Sequence, residues 1–494
     1  MGTIQIQNLS FRYDNQLTPL FDHVDLQFDA SWHLGLIGRN GRGKTTLLNI
    51  LRGKLEYHGH IVTDLNFQYY PQPIDDMTQN TWNVIRSITS LEEYDQWKIL
   101  VEFSKLELPE DILERPFTTL SPGQQAKVLL ASLFIDEGNF QLIDEPTNHL
   151  DIQGREVVAQ YLQQKSGFIV ISHDRVFLDR VIDHVLSIDR AKISLYKGNY
   201  STWHREKYAR DDFERLENEK LKDEISRLSK TAREKSVWSG FRESMKNSAK
   251  DSGFVSHKAA KMMKRSKVIE ARSNKAITEK EKLLKNLDEV TELTMNYEPL
   301  APKQILVSVD DVQVKRNGVV INQPVSFTIK TGERVALNGM NGAGKTTLLH
   351  ALFHDRTVTA SGKLELQPQL KISYLAQDLS DLHGTLDDYA ATQAVGYDEL
   401  VNVLRKLGFE RDIFESNIEN MSMGQIRKIA LAASLLKPAN LYIWDEPLNY
   451  LDVLTREQLE DLIIEYKPTM LFIEHDQAFV EHVATQQVNL IKQN

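Results

Sequence analysis

The segment GRNGRGKTTLL, which begins at Gly38, returns as GMNGAGKTTLL at Gly339, with Lys44 and Lys345 standing 301 residues apart. Three further segments repeat in the same order. Ser121 of LSPGQQ and Ser422 of MSMGQI are 301 residues apart, as are Asp144 of FQLIDEPTNHLD and Asp445 of LYIWDEPLNYLD. His173 of ISHD and His475 of IEHD are 302 residues apart. Four motifs in one order at near-constant spacing imply a duplication. The chain is therefore expected to hold two copies of one domain, about 1–198 and 303–494, with a region of another kind, 199–302, between them.

Each copy has the same local plan. Strand-like segments come first: Ile4 to Leu9 and Leu34 to Ile37, then Ile305 to Val309 and Arg334 to Leu337. A Gly-rich turn follows, and then a helix that opens Lys-Thr-Thr-Leu-Leu. The later apolar runs Phe140–Ile143 and Phe168–Ile171, with Leu441–Trp444 and Met470–Ile473, are short and uninterrupted. Such runs between helical segments predict a parallel sheet covered on both faces. The expected fold class is α/β, with two tandem nucleotide-binding domains joined by a long helical hairpin.

GxxxxGK[ST] between a strand and a helix cradles phosphate. Gly38, Gly41 and Gly43, and again Gly339, Gly342 and Gly344, let backbone N–H groups approach phosphate oxygens, and the helix N-terminus adds its positive dipole end. Lys44 and Lys345 would pair with the β- and γ-phosphates, while the hydroxyls of Thr45 and Thr346 would reach Mg²⁺. Asp144 and Asp445, each at a strand end, would hold the metal. Glu145 and Glu446 would polarise the attacking water. His173 and His475, each after an apolar strand, could sense the γ-phosphate. Gln72 and Gln377, 28 and 32 residues beyond their lysines, could bind Mg²⁺ or the attacking water. Taken singly, an Asp-Glu pair or a lone His is more often structural, whereas a Gly-rich turn of this pattern after a strand already favours a phosphate site. Repetition in register favours function.

The middle region differs in charge. Lys230 to Lys275 holds 13 Lys/Arg and 4 Asp/Glu, a surplus of +9 in a chain of net charge −10. Its flanks predict two long helices, about Thr202 to Trp238 and His257 to Tyr297. Apolar Tyr208, Phe213, Leu216, Leu221, Ile225 and Leu228 are spaced as an imperfect coiled-coil seam in the first, and Ile269 to Leu293 in the second. A basic tip near 239–256 would join them. Arg242, Lys246, Lys250, Lys258, Lys261, Lys264 and Arg265 could contact phosphates, and Trp238, Phe241 and Phe254 could stack on unpaired bases. The alternative is a solvated helix face whose apolar residues only close the hairpin.

Composition excludes other chemistry. With no cysteine there is no disulfide, thiol catalysis or Cys-based metal site. No signal peptide is evident, and no apolar run approaches the ~18–20 residues that span a bilayer, so no built-in transport channel is expected.

The motif set resembles the ATP-binding cassette superfamily: Walker A, Q-loop, an LSGGQ-type signature, Walker B with its glutamate, and the switch histidine. The resemblance implies Mg²⁺-dependent ATP hydrolysis and two composite sites formed head to tail. Lys44, Asp144, Glu145 and His173 would work with Ser422, Gly424 and Gln425, and Lys345, Asp445, Glu446 and His475 with Ser121, Gly123 and Gln124. Asn40, Thr46, Asn341 and Thr347 complete the implied ATP contacts, Asp151 and Asp452 would lie near the interface, and Tyr13 would stack on adenine. The match is inexact. Pro122 and Met423 stand where the signature has Gly, and Val314 stands where the second cassette would need an aromatic, although Arg316 lies close by.

Two cassettes, no membrane segment and a charged helical linker resemble the ABC-F group of translation factors. SFRYDNQ, WDEPLNYLDV and the stretch 257–265 look like its Lsa/Vga antibiotic-resistance branch, nearest to Lsa. That resemblance implies a cytoplasmic monomer whose own cassettes pair. It would bind the E site of the 70S ribosome and reach toward rRNA and P-site tRNA. It would protect against lincosamides, streptogramin A compounds and pleuromutilins. A housekeeping ABC-F factor acting on stalled ribosomes is the alternative within the group. An exporter's energising subunit and a DNA-repair ATPase with a coiled-coil insertion are the alternatives outside it.

Overall fold

The computed structural model describes residues 2–493 except 14–18, 137, 149, 190–191, 245–291, 317, 354–357 and 410, with backbone alone at 215, 231–244 and 411–412. Both cassettes belong to one compact unit, Met1–Ser201 with Thr291–Asn494.

The first cassette opens with β1 (Thr3–Phe11), β2 (Phe21–Asp29) and β3 (His33–Ile37), then α1 (Lys44–Leu51), β4 (His58–Val62) and β5 (Asn66–Tyr70). Helices α2 (Thr81–Ile88), α3 (Gln96–Lys105) and α4 (Pro122–Leu133) follow. The cassette closes with β6 (Asn139–Asp144), α5 (Ile152–Gln163), β7 (Phe168–Ile171), α6 (Arg175–Val181), β8 (His184–Asp189) and β9 (Lys192–Lys197). After α7 (Tyr200–Ser244), the second cassette repeats the plan. It has β10 (Ile305–Arg316), β11 (Val319–Val320), β12 (Val325–Lys330), β13 (Arg334–Asn338), α8 (Lys345–Leu352), β14 (Val358–Leu366) and β15 (Ile372–Leu375). Then come α9 (Leu386–Gln393), α10 (Tyr397–Lys406), α11 (Met423–Leu436), β16 (Leu441–Asp445), α12 (Val453–Tyr466), β17 (Met470–Ile473), α13 (Gln477–Val483) and β18 (Gln486–Asn489).

The expected sheets form, in the order β5-β6-β7-β3-β8-β9 and β15-β16-β17-β13-β18. Pairing is parallel except for β8 with β9. Every residue of FIVI, MLFI and LYIWD is buried, as strands covered on both faces require. Each cassette also carries an antiparallel sheet that the sequence reading did not separate: β2-β1-β4, and β10 with β11, β12 and β14. The first strand of each cassette, β1 or β10, lies there rather than in the parallel sheet. Their composition gives the reason. In TIQIQNLSF, Ile4 and Ile6 are buried while Gln5 and Gln7 are not, the alternation of a strand with one packed face.

The first long helix forms and runs past its expected ends. Tyr208, Phe213 and Leu216 are exposed on it, and Leu221, Ile225 and Leu228 are half-buried. Trp238, Phe241 and Arg242 fall in its last turns. Lys246, Lys250, Phe254, Lys258, Lys261, Lys264 and Arg265, with most of the second expected helix, lie outside the described residues. The end of that helix needs correction, because residues 292–297 are not helical. The Asn296 N–H donates to the Leu435 carbonyl at 2.8 Å, and Tyr297 bridges Ala439. Leu293 and Met295 are buried in the second cassette's core. Burial of alternate side chains there outweighs the helical spacing read from sequence.

Candidate nucleotide sites

The two phosphate loops fold alike. Each passes from its central strand (β3 or β13) through left-handed glycines into a helix, with Gly43 at φ 92° and Gly344 at φ 93° as N-caps of α1 and α8. Only glycine holds that conformation without strain. Both lysines are buried and span their loops. Lys44 Nζ donates to the Gly38 carbonyl at 2.7 Å and to Asn40 Oδ1 at 3.2 Å. Lys345 Nζ donates to the Gly339 carbonyl at 2.7 Å and the Met340 carbonyl at 3.3 Å. Burial lowers the pKa of both, against nearby carboxylates that raise it.

At the end of β6, Asp144 Oδ2 accepts from Thr45 Oγ1 at 3.2 Å and from the Tyr69 hydroxyl at 3.0 Å. Gln72 Oε1 is buried without a hydrogen-bond partner. In the second cassette, Thr346 lies close enough to Asp445 to ease its burial, but neither carboxylate oxygen has a well-formed hydrogen bond. Burial raises the pKa of Asp144 and pushes Asp445 up to about 6. Such a charge deficit around a few oxygen donors fits Mg²⁺, which takes one or two carboxylates or hydroxyls and keeps several waters.

Glu145 and Glu446 both sit in the left-handed region, at φ 54° and 50°. That conformation costs a non-glycine residue about 1–2 kcal/mol. It is held by backbone bonds to the Ile171 and Ile473 carbonyls, each 2.9 Å. Their surroundings differ. Glu145 Oε1 is 3.2 Å from His173 Nε2. Burial, with Asp144 adding to it, pushes the glutamate up to about 8, and burial drives His173 well below its ordinary value. Glu446 is 3.7 Å from His475 Nε2 and accepts from Asn449 Nδ2 at 2.5 Å. Burial opposes its ionisation, but His475, Gln377 and Asn449 outweigh it and hold its pKa below the ordinary value. Gln377 thus hydrogen-bonds to the glutamate.

The signature motifs are helix starts. Ser121 caps α4 and Ser422 caps α11, in capping boxes closed by Gln124 and Gln425. Pro122 and Met423 occupy the first helical position, where proline costs nothing because that N–H needs no intrahelical partner. The departures from the family pattern therefore leave the helix ends intact, with Gly123 and Gly424 in the first turn.

The cassettes meet as the head-to-tail reading requires at the first site. Asn40 Nδ2 donates to the Tyr450 carbonyl at 2.9 Å, and its backbone N–H donates to Asp452 Oδ2 at 3.2 Å. A Cβ on Gly424 would stand 2.8 Å from that carbonyl and 3.2 Å from Asn40 Nδ2. Asp452 is fully buried and paired with Lys428 at 3.1 Å. At the second site Asp151 is near enough to raise the Lys345 pKa. Asn341 is exposed in its loop, and Thr347 is half-buried on α8. Between the switch segments, Arg155 NH1 donates to Asp174 at 2.9 Å and to the His475 carbonyl at 3.2 Å, and Arg175 reaches Glu460 at 2.6 Å.

Tyr13 packs edge-on against Phe11, and its hydroxyl lies 2.9 Å from Thr46 Oγ1, which ties it to the start of α1. Val314 is fully buried in the second cassette's core and offers no stacking face, while Arg316 is exposed at the end of β10. Several residues in these sites escaped the sequence reading. Tyr69 and Tyr374 each stand three residues before the Q-loop glutamine and beside the Walker B aspartate. That repeated offset was a usable signal. Asn449 and Lys428 left the same trace, as Asn148 and Lys127 stand 301 residues earlier, whereas Arg427 left none, its counterpart being Ala126.

The ABC transporter family model matches residues 21–148 and 322–449, which together make up more than half of the chain. The chain belongs to the ABC transporter family. It is an ATPase with two tandem cassettes of P-loop type. Among the described residues, no helix of this family member is long and apolar enough to cross a membrane. The chain is similar to ribosome protection protein VmlR of Bacillus subtilis, at 28% identity over 97% of this chain and 85% of that protein. It is also 28% identical to the ATP-binding protein Uup of Haemophilus influenzae, over 95% and 76%. A third relative is the erythromycin resistance ATP-binding protein MsrA of Staphylococcus epidermidis, 28% identical over 100% and 98%. A solved archaeal ribosome recycling factor, aABCE1, shares the fold at a TM-score of 0.59 and 19% identity, over 98% of this chain and 89% of that one.

Proposed function

We propose that the chain is a cytoplasmic ABC-F ATPase that binds the ribosome and protects it from lincosamide, streptogramin A and pleuromutilin antibiotics. Similarity to a protein named for ribosome protection, along 97% of this chain, carries the reading. The resemblance of the sequence to the Lsa branch supports the drug classes. In this reading residues 1–198 and 303–494 act as cassettes and 199–302 as the effector rod, with the stretch from Trp238 to Arg265 meeting rRNA and P-site tRNA.

The chain's own residues supply the cycle. Asn40, itself bonded to Lys44, holds the first phosphate loop against Tyr450 and Asp452, so nucleotide bound there would join the two cassettes and its loss would part them. Thr45, Asp144 and Gln72 would hold Mg²⁺, as would Thr346, Asp445 and Gln377 at the other site. When bound, the metal neutralises developing phosphate charge. Glu145 and Glu446 orient water, and His173 and His475 fix those glutamates.

Changing Glu145 and Glu446 together to Gln should abolish hydrolysis and trap the protein on 70S ribosomes in ATP, read by co-sedimentation. Absence of the double variant from the ribosome pellet would refute the reading. The alternative is a housekeeping ABC-F factor acting on stalled ribosomes, and the chain is equally similar to a relative named only as an ATP-binding protein. Expression in a drug-sensitive host separates the two, because an unchanged tolerance to lincosamides and pleuromutilins would favour it.

A further inference from the structure

Arg427 lies on α11, five residues after Ser422, and is 1% exposed. Its NH1 donates to the Ala376 carbonyl at 2.6 Å, and its NH2 donates to the Gln377 carbonyl at 3.3 Å and the Glu446 carbonyl at 3.0 Å. One rigid guanidinium thus joins the signature helix to the Q-loop and to the strained end of β16. Its Nε–H is buried without an acceptor. Burying a cation with an unmet donor is costly, so stability alone gives no reason to choose arginine here. The corresponding residue of the first cassette, 301 positions earlier, is Ala126, which has no side-chain donor.

The N-terminus of the same helix faces the other site, where Gly424 lies against Asn40 and the Tyr450 carbonyl. Helix α11 therefore touches the first nucleotide site at one end, and Arg427 ties it to the machinery of the second. We infer that Arg427 is a positioning residue for coupling between the sites through α11: the placement of Gln377 and Glu446 and the aim of Ser422 at the first site set one another, and Ala126 provides no equivalent link in the first cassette. The inference rests on the composite-site reading proposed above.

The test reads the first site alone, in the Glu446→Gln background. Adding Arg427→Ala should raise KM for ATP about tenfold, within the usual range of coupling between sites, and change kcat less than about twofold. Arg427→Lys, whose single ammonium cannot span all three carbonyls, should recover only part of the loss. Thermal unfolding checks that the variants are folded. If Arg427→Ala is not, Arg427→Gln, which keeps an amide donor for the Ala376 carbonyl, should raise KM about threefold. Ser422→Ala in the same background is the control. If it raises KM and the Arg427 variants do not, the coupling is wrong and the composite site stands. If Ser422→Ala also leaves KM unchanged, both fall.

Discussion

The two glutamate–histidine pairs have the same backbone and different charge. Glu145 and His173 are closed in together, with the carboxyl pushed up to about 8 and the imidazole held neutral. Glu446 keeps three donors around it, His475, Gln377 and Asn449, and its pKa stays below the ordinary value. Duplication supplied two equal frames, and a few neighbouring side chains made one poised base and one masked base. The second site has the more readily ionised glutamate.

The largest effect is expected at Glu446. Its change to Gln should lower turnover at the second site by about 10²–10⁴-fold, the usual worth of a positioned base. At pH 7 most steady-state hydrolysis should go with it. Glu145→Gln should cost less of the total at that pH, and equal losses from the two single variants would break the comparison. Next comes Asp452, whose change to Asn strands the buried Lys428. Loss of one partner of a buried pair costs about 3–5 kcal/mol, read as a fall in unfolding free energy. The equivalent Asp151→Asn keeps an oxygen to accept from the Gly154 N–H, 2.8 Å away, and should cost less than about 0.5 kcal/mol.

The pH dependence sharpens the same point. With Glu446→Gln, the remaining kcat/KM should rise about tenfold from pH 7 to 8.5, as Glu145 loses its proton through about 8. With Glu145→Gln it should stay flat over that range, because Glu446 is ionised throughout. The smallest functional effect belongs to Asn40→Ala, which removes the bond to the Tyr450 carbonyl. It should weaken ATP-dependent closure by about 1 kcal/mol, the net worth of one such bond, measured as about fivefold weaker nucleotide binding at the first site.

Much of this molecule was legible from spacing. The strand before each phosphate loop, the Asp-Glu at each strand end and the repeated histidines all lie where the motifs put them. Such motifs are local: a glycine that needs a positive φ and a lysine six residues along the same loop make their geometry within one turn of chain. The antiparallel sheets were half-visible in the alternation of TIQIQ. Paired departures between the copies also acquire a cause. Thr147 and Ser172, 3.1 Å apart through their hydroxyls, become Leu448 and Glu474, where the carboxylate caps the Leu448 N–H at 3.1 Å and the His475 N–H at 2.7 Å.

The sequence by itself determined that there are two cassettes, where each would hold phosphate, and which residues can serve a metal and a water. Those properties follow from backbone freedom and side-chain chemistry at fixed short spacings. Only the tertiary structure decided that Asp452 seals the first site, that residues 292–297 join the second cassette's core instead of continuing a helix, and that Arg427 spans three backbone carbonyls from two other segments. It also decided that one glutamate holds its proton near neutrality while its copy does not. A pKa and a buried ion pair depend on which distant groups share a desolvated volume, and no spacing along the chain records that.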